Sequence, residues 1–178
     1  MNTANYLHLK QKIAERGFAG EIEWATNVAD CPDSQTFACE TIWVILNAGM
    51  REQVARIIQD RIWPFLHRGE SSSGGFNHKL KCRAIDYVWR ERERLFAEWR
   101  AADDRLEYLE RLPHIGPITK YHLARNLGMN VCKPDRHLVR IAAPLTPHEM
   151  CAMLAKATGD RIGVVDCVIW RSANLGLI

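Results

Sequence analysis

A chain of 178 residues that is 47% apolar and carries a formal net charge of +3 is long enough for one domain with its own core, or for two small helical lobes around one, and too short for a multidomain assembly. It holds no apolar run near the ~20 residues that a bilayer span requires, and its first twenty residues are amphipathic and mixed in charge, unlike a signal peptide. The expectation is a soluble, cytoplasmic protein with no membrane partner, organised as a single domain over residues 1–178.

Taken in chain order, Tyr6, Leu9 and Ile13 share one helical face, which Gly17 is expected to close. Asp33 and Ser34 open the next helix, whose apolar stripe is Phe37, Thr41, Val44 and Ile45. The stretch Asn47–Ala48–Gly49–Met50 is a short break. Val54, Ile57, Ile58 and Ile62 then keep helical spacing as far as Pro64, where a stop is expected. Arg68 to Gly75, rich in Ser and Gly, reads as a loop, and a long helix is predicted from about Leu80 to Trp99. Near the C-terminus, Thr146, Pro147 and Glu149 spell a capping box with proline at the first helical position, and Gly159 supplies the stop. The last helix carries Ile162, Val165, Ile169 and Trp170. Nine or ten helices without strand alternation predict an all-α fold. Trp24, Trp43, Trp63 and Trp89 sit among apolar residues and are expected in the core.

Six cysteines stand apart with no Cys-x-x-Cys pair, which favours reduced thiols over a disulfide framework, a zinc knuckle or an iron–sulfur loop. Charge is spread unevenly. Residues 111–140 hold Arg111, Lys120, Arg125, Lys133, Arg136 and Arg140 against the single acid Asp135, so this window is +5 and the remainder −2. A polyanion is the natural partner of such a window.

Within it, the stretch LPHIGPITK joins two helical segments through a very short turn. Leu112–Pro113 closes the first helix, Gly116 is expected to take a backbone conformation that other residues resist, and Pro117 is preset for the first turn of the second helix, which Gly128 closes. The second helix then presents unpaired amide groups and the positive end of its dipole, where a DNA phosphate fits without any base being read.

LPHIGPITKYHLARNLG followed by KPDRHLVRIA resembles the helix-hairpin-helix, glycine/proline-rich loop and aspartate signature of the DNA glycosylase superfamily that includes endonuclease III and the 8-oxoguanine and alkyladenine glycosylases. The resemblance covers about thirty residues, with the hairpin over about 106–128 and the catalytic loop over about 129–141. It implies a two-lobed all-α helix-hairpin-helix fold and the excision of a damaged or modified base from double-stranded DNA by a monomer. It also implies hairpin contacts to phosphate from His114, Gly116, Ile118 and Lys120, further contacts from Arg136 and His137, and a gap-filling loop at Asn47, Met50 and Arg51. No cofactor is required on this reading and no iron–sulfur cluster is expected, but a Na+ or K+ ion is implied on the carbonyls of Glu110, Leu112 and Ile115. The chain departs from the family pattern in two places: His114 replaces the usual first hairpin glycine, and Ile118 stands where bifunctional members carry their lysine.

Base excision passes through an oxocarbenium-like sugar, and a fixed carboxylate beneath that charge stabilises the transition state more than the ground state. Asp135 is the candidate, although an aspartate before RHLVRIA is also an ordinary helix N-cap. Water is the expected nucleophile, which makes the enzyme monofunctional. The alternatives are a bifunctional glycosylase-lyase using Lys120 as the imine-forming amine, and a non-catalytic helix-hairpin-helix module that binds DNA and does not need Asp135.

Overall fold

Side-chain caps open six of the α-helices in this chain. The computed structural model describes residues 1–178 and contains eleven α-helices and no strand. They are α1 Thr3–Ile13, α2 Ala19–Asn27, α3 Ser34–Asn47, α4 Glu52–His67, α5 Lys79–Arg90, α6 Arg92–Ala101, α7 Arg105–Glu110, α8 Thr119–Asn126, α9 Arg136–Ala142, α10 Pro147–Thr158 and α11 Ile162–Asn174. None is long and apolar enough to cross a membrane. The Asp33 side chain accepts from Thr36 N at 2.7 Å to start α3. Thr146 and Glu149 close a reciprocal capping box on α10, which ends at Gly159 in the left-handed region.

The chain divides into two compact units, Met1–Asp30 with Ala124–Ile178, and Cys31–Leu123. In the first, α11 is the hub: Gly163 to Ile169 are consecutively buried, and α1, α2, α9 and α10 pack around them. Tyr6, Leu9 and Ile13 of α1 join Leu138, Met150, Leu154, Val164, Val165 and Val168 in one apolar cluster. Each such side chain contributes about 1.5–3 kcal/mol when fully buried. Tyr6 donates its hydroxyl to Asp160 at 2.7 Å, and Lys10 holds the same carboxylate at 2.6 Å, which fastens α1 to the turn before α11.

In the second unit α3 is central, with α4, α5 and α6 packed on it. Phe37, Ile42, Ile45 and Leu46 are fully buried, and the Phe37 ring packs against Trp99 at a 35° tilt with ring centroids 5.4 Å apart.

Gly17 interrupts the first helix as the sequence predicts: at φ 92° and ψ 9° it leaves helical geometry, and the chain kinks there before α2. Three expectations from the sequence are corrected. Pro64 lies inside α4, which runs to His67. Its missing N–H removes the usual donor to the carbonyl of Asp60, an exposed residue four positions earlier. Burial of Ile58, Ile62 and Leu66 at about 1.5–3 kcal/mol each exceeds a proline cost of about 3 kcal/mol. The predicted long helix is broken at Glu91, so that both α5 and α6 pack on α3. Trp24 is 44% exposed, and Trp43, Trp63 and Trp89 are half-buried, while the fully buried tryptophan is Trp99. Trp89 needs a partner for its indole N–H and donates it to Leu66 O at 2.9 Å, so its ring lies across a helix end instead of entering the core.

Candidate active site

The predicted site residues fall in three stretches. The hairpin turn, with α7 before it and the first residues of α8 after it, lies in the Cys31–Leu123 unit. Leu112 and Ile115 are buried beneath it, while His114, Pro117 and Ile118 are exposed. Ile115 N donates to Leu112 O at 3.1 Å, and Lys120 N to Gly116 O at 2.9 Å. The second bond closes one turn from Gly116 to Lys120, but α8 itself begins at Thr119, so Pro117, expected as the first helical residue, falls in the turn before it. Thr119 Oγ1 accepts from Gly116 N at 2.7 Å, so the first residue of α8 is tied back to that turn. The Thr119 amide, in the first turn of α8, has no intrahelical acceptor.

The conformational strain sits at a different residue from the one expected. Gly116 is not in the left-handed region; His114 is, with φ 62°. An L-residue there costs about 1–2 kcal/mol, and this is the position where the family pattern has glycine. A Cβ on Gly116 would meet nothing nearer than Thr119 Oγ1 at 3.9 Å.

Lys120 faces away from solvent. Its ammonium is 2.5 Å from Glu110 and 3.2 Å from Glu107, so it braces α8 against α7. The Glu110 hydrogen bond is the main cause that raises its pKa. Two carboxylates thus occupy this charge, and the amine is held in its protonated form. The carbonyls of Glu110, Leu112 and Ile115 belong to the same turn; that of Leu112 already accepts one hydrogen bond and keeps a second lone pair.

The second stretch, between α3 and α4, also lies in this unit. Met50 N donates to Asn47 O at 3.1 Å, with Gly49 at φ 72° inside the turn. The Asn47 amide is folded back on Trp43 O at 3.0 Å. Met50 is half-buried and Arg51 is exposed.

The third stretch lies in the other unit. Asp135 N donates to Lys133 O at 2.8 Å and closes a three-residue turn about Pro134, whose fixed φ suits it. The chain then enters α9. Asp135 is its N-cap: Oδ1 accepts from His137 N at 2.9 Å and Leu138 N at 3.1 Å. Oδ2 accepts nothing from the protein. Arg136 is exposed and His137 half-buried beside it.

Sequence reasoning missed what supports this loop. Asp166 of α11 is 1% exposed, and its carboxylate takes Arg125 Nη1 at 2.8 Å and the Lys133 amide at 3.1 Å. Burial pushes its pKa up, against the favourable charge of Arg125 and the Lys133 amide; the nearby Asp135 charge acts in the same sense as burial. Lys133 is itself shifted down, first by burial, with Asp135 opposing and Arg125 assisting. The buried pair therefore anchors the backbone two residues before Asp135. An isolated polar residue in the apolar run GVVDCVIW was the available signal. No family model, curated protein or solved structure matches this chain.

Proposed function

We propose that the protein is a DNA glycosylase that hydrolyses the N-glycosidic bond of a damaged or modified base extruded from duplex DNA, leaving an abasic site in an intact strand. The observation that carries this reading is the state of Asp135: one oxygen is fixed by two helix amides, and the other is left without a protein donor. A carboxylate held in this way needs no reorganisation when positive charge develops on the sugar. As the C1′–N bond lengthens, its electrons leave with the base. Asp135 stabilises the oxocarbenium and accepts a proton from the water that attacks C1′.

Support for the DNA component comes from the hairpin. The first-turn amides of α8 and exposed His114 address a backbone phosphate, and a monovalent cation on the Glu110, Leu112 and Ile115 carbonyls would add positive charge there. Arg136 and His137 contribute further contacts, and Met50 fills the gap left by the extruded base. Lys120, paired with Glu107 and Glu110, is a poor imine-forming amine, which favours water as nucleophile.

The test is a panel of duplexes, each carrying one oxidised, alkylated, deaminated or otherwise modified base, assayed for abasic sites. Asp135→Asn keeps the capping acceptor, so the variant retains duplex binding and loses about 100-fold or more of the single-turnover rate. If duplex binding is retained but no modified base is released, the protein is instead a helix-hairpin-helix binding module, and Asp135 is a cap only.

A further inference from the structure

Lys81, the third residue of α5, is 6% exposed and belongs to the Cys31–Leu123 unit. Its Nζ donates to Leu46 O at 3.0 Å and Ala48 O at 2.7 Å, and to no carboxylate. Burial is what lowers its pKa. A buried ammonium without a counter-ion carries a desolvation penalty of several kcal/mol, here offset by the carbonyls at the negative end of α3.

Those carbonyls belong to the segment that leads into the predicted wedge. At Ala48 the chain leaves helical geometry with ψ 107°, and its carbonyl begins the loop to Arg51. Beyond it the loop has one internal backbone bond, Met50 N to Asn47 O, and an exposed Gly49 in the left-handed region. Lys81 therefore ties the base of this loop to α5, at a point 33 residues away in sequence. Inserting a side chain between base pairs costs a few kcal/mol of unstacking per step. A loop that yields under that load leaves the base pairs stacked.

We propose that Lys81 is a positioning residue for DNA distortion: its bonds to Leu46 and Ala48 hold the Ala48–Arg51 loop so that Met50 enters the duplex. The assignment rests on the glycosylase reading, and its test separates the two. The probe is a duplex with a tetrahydrofuran abasic analogue beside a 2-aminopurine, whose fluorescence rises when the stack opens; it requires no knowledge of the natural base. Wild type binds it and raises the fluorescence. Lys81→Met, which keeps the buried stem, binds with affinity within about two-fold of wild type and loses most of the rise. Met50→Ala loses it too, and the double variant loses no more than Met50→Ala alone, a non-additivity of about five-fold. Lys81→Gln, with a donor for one carbonyl, gives an intermediate response and serves if Lys81→Met fails to fold.

A wild-type response in both Lys81→Met and Lys81→Gln, with Met50→Ala impaired, overturns the Lys81 assignment alone. No binding of the probe by wild type, or a normal response from Met50→Ala, overturns the wedge reading and this assignment with it.

Discussion

Replacing Arg125 with Met removes the guanidinium that faces Asp166 at 2.8 Å and keeps the aliphatic stem that packs 3.5 Å from where a Gly163 Cβ would stand. The Asp166 side chain is 2% exposed, so its charge is left in the interior with the Lys133 amide as its remaining hydrogen-bond donor. Breaking one side of a buried pair costs about 3–5 kcal/mol. The contact of Arg125 over the Trp24 ring, at 5.8 Å, adds about 0.5–1 kcal/mol at an exposed site. For a chain of this size 3 kcal/mol corresponds to roughly 6–12 °C in Tm. The deficit also has a defined pH dependence. Burial already raises the folded-state pKa of Asp166 above its ordinary 3.8, and losing Arg125 raises it further. Between the unfolded and folded values the native variant binds a proton that the unfolded chain does not, so its stability falls as pH rises, by up to about 1.4 kcal/mol per pH unit. Urea unfolding of both proteins at several pH values between 4.5 and 8 measures this: the two curves converge at the acid end and separate toward neutrality. A deficit below about 0.5 kcal/mol at pH 7.5, or one that does not change with pH, would refute a charged Asp166 as the anchor of the Lys133–Asp135 turn.

Substituting His114→Gly relieves a left-handed residue and gains about 0.5–1 kcal/mol net of the extra unfolded-chain entropy; a loss of similar size in thermal melts would mean that the imidazole holds the hairpin. Asp160 presents the opposite sign to Asp166. Burial opposes its ionisation, but hydrogen bonds from Lys10 and Tyr6 outweigh it and lower its pKa below 3.8. Its contribution is therefore present above that value and lost as pH falls through the lower folded one. Asp160→Asn should reduce stability at pH 5–7 and narrow its difference from wild type below about pH 3.5; parallel curves across that range would refute the assignment. Borohydride treatment during turnover should trap no protein–DNA adduct, since Lys120 is held protonated by Glu110 and Glu107; an adduct that disappears in Lys120→Ala would make Lys120 the nucleophile.

The local chemistry of this chain was legible in its order of residues. Asp33 and the Thr146–Glu149 box cap their helices within three residues of themselves, Gly128 and Gly159 stop theirs at positive φ, and Lys133–Pro134–Asp135 turns because proline fixes the middle residue. The tight turn of the hairpin was legible for the same reason, in Gly116 and Pro117, although α8 starts two residues later than they predict, at Thr119. Its strain was not, because a histidine at φ 62° has no intrinsic preference that announces it. Partners distant in the chain were settled only in three dimensions. Lys120 counts as one of six cations in the window, yet it is occupied by Glu107 and Glu110; Arg125 is taken by Asp166, 41 residues on. The sequence reads about Leu80 to Trp99 as one helix, whereas the structure breaks it at Glu91 and packs both halves, α5 and α6, on α3. Charge and apolar area are properties of a residue, but the burial that makes an ion pair strong or a lysine costly depends on which helices close over it.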